Sequence, residues 1–398
     1  MQQRVRQQQP SLSRNCWPDA GLATEGRLID RLAQSETVAR QGRGHARAGP
    51  SPTRAARQSL CRNPELSAFA ANHRTGTKAC PTATGKTELA MRVARAVGGE
   101  IVSADAMAVY RGMDIGTAKP DTLQRRLVRF HLIDYVELNE TYSLHRFLRD
   151  CEAAVRDIWA RGRLPIVCGG TGLYVEAFME GYELPATDAA QVRRLRAELE
   201  DRLTKEGLNA LVEQLRTLDP SAPEQVDTAN PRRVIRAIEI VTITGRPLAD
   251  ARVKRRPGGY IFSPWLIACP RHVLRRRIDR RVDAMMAAGW LDEVRGLLDR
   301  FPCATTALQA IGYRHLVRYL TEGGSLSETL ASIKADTRKY AKRQLTWWRR
   351  KRIPQLMWET SADFAAIELL LIRAARDLLA ASIQGRGALP ASGQPNAT

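Results

Sequence analysis

The run Thr82-Ala83-Thr84-Gly85-Lys86-Thr87 holds the residue types and spacing that most directly imply chemistry in this chain. Backbone amides around such a Gly close on diphosphate oxygens, the Lys86 ammonium neutralises a terminal phosphate, and the Thr87 hydroxyl is placed for Mg²⁺. All six residues are candidate diphosphate ligands, and Thr87 is the candidate metal ligand. The complete loop pattern opens with a Gly ahead of four residues and the Gly-Lys pair, and here that place holds Cys80. The preceding Arg74-Thr75-Gly76-Thr77-Lys78-Ala79 lacks the apolar run of a buried parallel strand, so no proper first strand is expected.

A second candidate group follows the loop helix. Glu100-Ile101-Val102-Ser103-Ala104-Asp105 is a short apolar run ending in a carboxylate. At a strand end facing the loop, Asp105 could accept a proton from a bound amine. On spacing alone, a helix cap or an outer partner of a bound metal is an equal reading. Arg277 and Arg281, four apart on a basic helix, could meet diphosphate charge or form a solvated face.

Alternating elements must position these groups. The patterns predict a loop helix from Glu88 to Val97, short strands at Ile101-Val102 and Leu132-Ile133, and a central strand from Arg163 to Cys168. A helix from His145 to Arg161 puts Leu148, Cys151, Val155, Ile158 and Trp159 on one stripe, and Trp265 to Ala268 restores a strand. The expected fold is α/β: a P-loop NTPase-like parallel sheet core with a helical insertion domain and a helical C-terminal region. Boundaries are expected at 80–185 for the first part of the core, 186–258 for the insertion, 259–360 for the core completion and 361–398 for a C-terminal helix and flexible tail.

The chain has 398 residues, 44% of them hydrophobic, and a formal charge of +20. That excess favours a polyanionic partner, because binding phosphates releases counterions. The first 79 residues hold 13 Lys and Arg against 5 Asp and Glu, with no sustained helical or strand period, and disorder is expected there. A displaced start or a frameshift upstream of Pro81 would explain both Cys80 and the missing strand. The seven scattered cysteines predict reduced thiols and a cytoplasmic protein, and no apolar run has membrane-spanning length.

From Met107 to Pro120 the sequence resembles the signature of tRNA dimethylallyltransferases, which prenylate the adenosine beside the anticodon. Gly169 to Tyr174, Asn230 to Glu239, Gln309 to Arg314 and Arg338 to Gln344 agree with that family in the same order. The resemblance spans from about Pro81 to the vicinity of Trp358, and it departs from the common pattern at Ala106 and Ala108, where Ser and Gln are usual. It implies transfer of a dimethylallyl group from dimethylallyl diphosphate to N6 of adenosine, with Asp105 as base and Lys86 and Thr87 as catalytic partners. It also implies tRNA contacts at Asp105, Ala106, Met107, Ala108, Thr171, Arg193, Arg232, Arg233, Arg236, Gln309, Gly312, Tyr313 and Arg314. Arg277 and Arg281 would bind diphosphate, Mg²⁺ is the expected cofactor, and the protein is expected to be a monomer.

The stretch from Arg338 to Arg352 has eight basic residues, no acid, and Tyr340, Trp347 and Trp348 interleaved, which suits RNA backbone and unstacked bases or equally a solvated charged face with Trp347 and Trp348 in the core; the family blocks favour RNA. The alternatives are a small-molecule phosphotransferase, an adenylate prenyltransferase, or an inactive RNA-binding remnant lacking its first strand.

Overall fold

The computed structural model describes residues 73–79, 82–182, 189–251, 260–302, 306–351 and 353–386. Six parallel strands form one sheet: β1 (His73–Ala79), β2 (Glu100–Ser103), β3 (Phe130–His131), β4 (Pro165–Gly169), β5 (Tyr260–Ala268) and β6 (Gln355–Met357). Their order is β3-β2-β4-β1-β5-β6. The strand that was not expected, β1, therefore fills the slot between β4 and β5. Ladder hydrogen bonds are made by backbone groups, so a segment without an apolar pattern can occupy a central slot that would otherwise leave two rows of N–H and C=O groups unpaired. Cys80, Pro81 and the segment 1–72 lie outside the described residues.

Helix α1 (Lys86–Val97) runs from the phosphate loop and buries Leu89, Ala90, Val93 and Ala94. It ends at Gly98 with φ 63°, whose N–H donates to the Ala94 carbonyl, the left-handed stop that glycine allows. The short α2 (Thr122–Leu127) is closed by a capping box between Asp121 and Gln124. Helix α3 (Leu144–Ala160) buries Phe147, Cys151, Val155, Ile158 and Trp159; Phe147 takes the place expected for Leu148, which is half-buried. Strand β3 ends before Leu132 rather than including it, because Leu132 and Asp134 have φ of 57° and 61°, outside extended backbone. Helix α4 (Gly172–Glu180) follows β4 at the carboxyl end of the sheet.

The insertion is helical as expected. Helices α5 (Ala189–Glu206), α6 (Leu208–Leu218), α7 (Ala222–Gln225), α8 (Pro231–Thr244) and α9 (Leu248–Ala251) enclose their own core around Leu199, Leu211, Leu215, Val234, Ile238 and Leu248. After β5 come α10 (Arg271–Ala287), α11 (Trp290–Arg300), α12 (Tyr313–Glu322) and α13 (Leu326–Arg349), then β6 and α14 (Ser361–Arg386). Helix α14 lies against α1 and β1, burying Phe364, Ile367, Leu371 and Ala375. Burial of each large apolar side chain there stabilises by roughly 2 kcal/mol.

Charge is also buried, at the sheet end away from the loop. Glu100, the first residue of β2, is fully buried and receives Arg161 Nη2 at 2.9 Å, Arg163 Nη1 at 3.1 Å and His131 Nε2 at 2.7 Å. Burial alone would raise this carboxyl; hydrogen bonds from Arg161 and His131 outweigh it and hold the pKa at about 2.

Candidate active site

The carboxyl ends of β2 and β4 and the N-terminus of α1 frame a cavity open to solvent. Thr82, Lys86, Thr87, Asp105, Ala108 and Arg281 all line it, so the fold brings together phosphate-binding and carboxylate groups 18 or more positions apart in sequence. Ligands gather at strand carboxyl ends in open α/β sheets, and here a helix N-terminus adds its dipole to the Lys86 charge.

The loop is held from behind. Ala83 has φ 63°, a left-handed value that costs a non-glycine residue roughly 1–2 kcal/mol, and its carbonyl accepts Arg277 Nε at 2.7 Å. The Thr84 carbonyl accepts Trp358 Nε1 at 3.1 Å, and Gly85 adopts φ 85°. The Arg277 guanidinium carbon lies 5.0 Å from the Trp358 ring centroid. Arg277 thus braces the loop, whereas Arg281 reaches the cavity. Burial pulls the Arg281 guanidinium below its ordinary value; Asp105 opposes this and Arg277 adds to it. Two neighbouring cations, one of them at depth, make this wall favourable for a polyanion.

Asp105 caps a tight turn. Its Oδ1 accepts the N–H groups of Met107 at 2.9 Å and Ala108 at 3.3 Å, which fixes the carboxylate and leaves Oδ2 without a hydrogen bond among the described residues. The helix-cap and base readings of Asp105 are therefore compatible. Thr171, the N-cap of α4, accepts the Ala106 N–H on Oγ1 at 3.0 Å and donates its own N–H to the Ala104 carbonyl at 3.2 Å. Burial and the nearby Asp105 charge push Tyr340 up to about 12.

Of the residues expected to meet tRNA, Asp105 and Ala108 line the cavity, while Ala106, Met107 and Thr171 belong to the same turn. Arg193 and Arg232 are exposed on the insertion; Arg233 pairs with Asp227 at 3.4 Å and Arg236 with buried Glu239 at 2.9 Å. Gln309 and Arg314 are exposed, the latter paired with Asp336 at 2.6 Å. Gly312 and Tyr313 require correction as surface contacts, because both are buried. A Cβ on Gly312 would lie 2.1 Å from Trp290, and Tyr313 packs edge-on against the same ring. Their role is packing behind the loop 113–118, and a buried side chain has no surface for RNA.

The basic stretch that runs through the end of α13 also divides. Arg338 pairs with Asp279 at 2.5 Å, Lys339 with Asp336 at 3.1 Å, and Lys351, just past the helix, with Glu176 at 2.6 Å, while Lys342, Arg343, Arg349 and Arg350 are exposed without an ion pair among the described residues, and Arg352 lies outside them. Trp348 is buried in the core and Trp347 is exposed. Ser103, Thr117, Lys119, Phe130 and Ile133 line the cavity as well and were not singled out, since neither type nor spacing marks them in the sequence.

The family model for IPP transferase matches residues 108–351, well over half the chain. The tRNA dimethylallyltransferase of Thermomicrobium roseum is 44% identical over 315 residues, 79% of this chain and 94% of that protein. This chain belongs to the tRNA dimethylallyltransferase family. The family member of Pelotomaculum thermopropionicum is 39% identical over 302 residues, covering 75% of this chain and 95% of that protein. Among solved structures, the tRNA isopentenylpyrophosphate transferase of Bacillus halodurans aligns with a TM-score of 0.57 at 35% identity, over 79% of this chain and 99% of that one. A eukaryotic dimethylallyltransferase described as acting on tRNA aligns with a TM-score of 0.63 at 27% identity, over 74% of this chain and 78% of its own. As a tRNA dimethylallyltransferase, the chain is a prenyl transferase of the tRNA-modifying class, with the parallel-sheet, P-loop-like fold of those structures.

Proposed function

We propose that this protein transfers the dimethylallyl group of dimethylallyl diphosphate to the exocyclic N6 of the adenosine beside a tRNA anticodon. The observation that carries the reading is that Lys86, Thr87 and Arg281 stand with Asp105 in one cavity. Transfer breaks the allyl C–O bond, forms a C–N bond, and releases diphosphate and a proton. Lys86, Arg281 and the α1 N-terminus stabilise the charge that grows on the departing diphosphate. Asp105, fixed through Oδ1, accepts the amine proton on Oδ2. An adenine within the anticodon loop reaches such a cavity by leaving its stack.

The donor set at the loop suits Mg²⁺, which binds one or two protein oxygens and completes its shell with phosphate and water. The Thr87 hydroxyl would hold it beside the diphosphate, where it would neutralise leaving-group charge. Arg193, Arg232 and the exposed cations of α13 are the groups we assign to the tRNA backbone. A cytoplasmic location fits the free thiols of Cys151, Cys168 and Cys269, and no described helix is long and apolar enough to cross a membrane.

Incubation with labelled dimethylallyl diphosphate and either tRNA, AMP or no acceptor tests the reading. Label is expected in tRNA alone, as N6-dimethylallyl adenosine. Label in AMP instead would make the protein an adenylate prenyltransferase, and stoichiometric ADP from ATP would make it a phosphotransferase.

A further inference from the structure

Gln344 is a buried polar side chain on α13, and both ends of its amide are engaged. Its Oε1 accepts the Thr82 N–H at 2.8 Å, at the entry of the phosphate loop, and its Nε2 donates to the Gly170 carbonyl at 2.6 Å. Gly170 precedes Thr171, whose Oγ1 holds the Ala106 N–H next to Asp105. One amide therefore joins the loop that faces the diphosphate to the turn that carries the carboxylate.

The joint has little slack. A Cβ added at Gly170 would lie 2.6 Å from Gln344 Nε2 and 3.8 Å from Lys86 Nζ, so the turn, the amide and the loop lysine are in close succession. Losing an amide partner here would strand a part-buried Thr82 N–H and a buried Gly170 carbonyl, and each would seek another partner by moving its segment. Elsewhere along the loop, Arg277 and Trp358 hold the Ala83 and Thr84 carbonyls, and Cys168 Sγ lies 3.8 Å from the Lys86 carbonyl.

We propose that Gln344 is a positioning residue that sets the diphosphate loop against the Asp105 turn, so that leaving group and proton acceptor keep one separation. It touches neither substrate and acts through Thr82 and Gly170. The proposal rests on the prenyl-transfer reading for what the two halves bind, but its geometric content concerns the loop alone.

Two substitutions reach the joint from opposite sides. Gln344→Met keeps the side-chain length and removes both hydrogen bonds, and Gly170→Ala leaves Gln344 in place while its Cβ displaces the amide. Each is expected to raise the dissociation constant for inorganic diphosphate, and the KM for dimethylallyl diphosphate, about five- to tenfold, the ratio that follows from one lost hydrogen bond. The KM for tRNA should change less than about twofold. The double variant should be no worse than either single one, because both break the same link. Unchanged diphosphate affinity in Gln344→Met would overturn the proposal. So would parallel increases in both KM values with a lowered melting temperature, the signature of general loosening. If Gln344→Met does not fold, Gly170→Ala alone decides the matter by the same criteria. Should the wild-type protein prenylate no tRNA while diphosphate affinity still falls in the variants, the positioning role stands and the substrate assignment fails.

Discussion

The Tyr313 hydroxyl donates to Glu293 Oε1 at 2.6 Å, and the same carboxylate accepts the backbone N–H groups of Asp114, Ile115 and Gly116 at 2.8, 2.7 and 3.3 Å. Helices α11 and α12 thereby clamp the loop whose continuation, Thr117 to Pro120, forms part of the cavity wall. A Cβ on Gly116 would lie 2.1 Å from Trp290 Nε1, so the clamp closes over a contact that only glycine permits. Tyr313→Phe should cost about 2 kcal/mol in urea unfolding, since the lost hydrogen bond is to a charged acceptor, with tRNA affinity unchanged under conditions where the variant is folded. Weaker tRNA binding by the folded variant with no loss of stability would return Tyr313 to the RNA interface.

Asp105→Asn keeps an oxygen to accept the Met107 and Ala108 amides but cannot take a proton. Turnover under saturating substrates should fall by roughly 10²–10⁴-fold, with tRNA affinity close to wild type in a filter-binding titration. Near-normal turnover would remove Asp105 from the proton path.

Glu100 gives a pH dependence with a definite sign. Its folded pKa of about 2 lies below the ordinary 4.5, so its stabilisation is present in full above pH 4.5 and is lost as pH falls toward 2. Glu100→Gln should therefore lower the melting temperature at neutral pH, and the gap to wild type should close over that interval. A constant gap would mean that the charge on Glu100 contributes nothing.

Arg232 and Arg236 sit one helical turn apart and should behave differently. Arg232 is exposed without an ion pair among the described residues, so Arg232→Glu should weaken tRNA binding and reduce its salt slope by about one. Arg236→Glu would leave buried Glu239 with Arg196 as its remaining partner, and should lower the thermal stability of the insertion. Equal salt slopes for Arg232→Glu and wild type would place Arg232 away from RNA.

Strand β1 makes a prediction about length. A chain beginning at His73 should retain the cooperative unfolding of the full protein, whereas one beginning at Thr82 leaves β4 and β5 with open edges and should aggregate or fail to fold. Cooperative unfolding of the shorter chain, measured by circular dichroism, would show that β1 is dispensable.

The local features were legible in the sequence: Gly85-Lys86-Thr87, the carboxylate at the end of β2, and the helical insertion each depend on neighbouring residues. β1 was not, because hydrophobic period is the signal for a strand and His73 to Ala79 has none; its place follows from the ladders on either side. Gln344 and Glu293 were illegible as supports for another reason: their partners lie 262 and 178 positions away. Tyr313 and Gly312 belonged to a block that marks the family, and a family block does not distinguish a residue that packs from one that binds. The basic run through the end of α13 likewise gave no sign of Asp279 and Glu176, which neutralise two of its members.

Trp358, which holds the Thr84 carbonyl, lies 274 positions beyond it, and Phe364 of α14 closes over Gly85. On a ribosome, the loop emerges long before the residues that brace it. A nascent chain would thus carry an unset loop through most of its translation, and the cavity could reach its working shape only after the last helix leaves the exit tunnel. Contacts of such long range close slowly, so a stalled or truncated product would be prenylation-silent even with every cavity-lining residue in place.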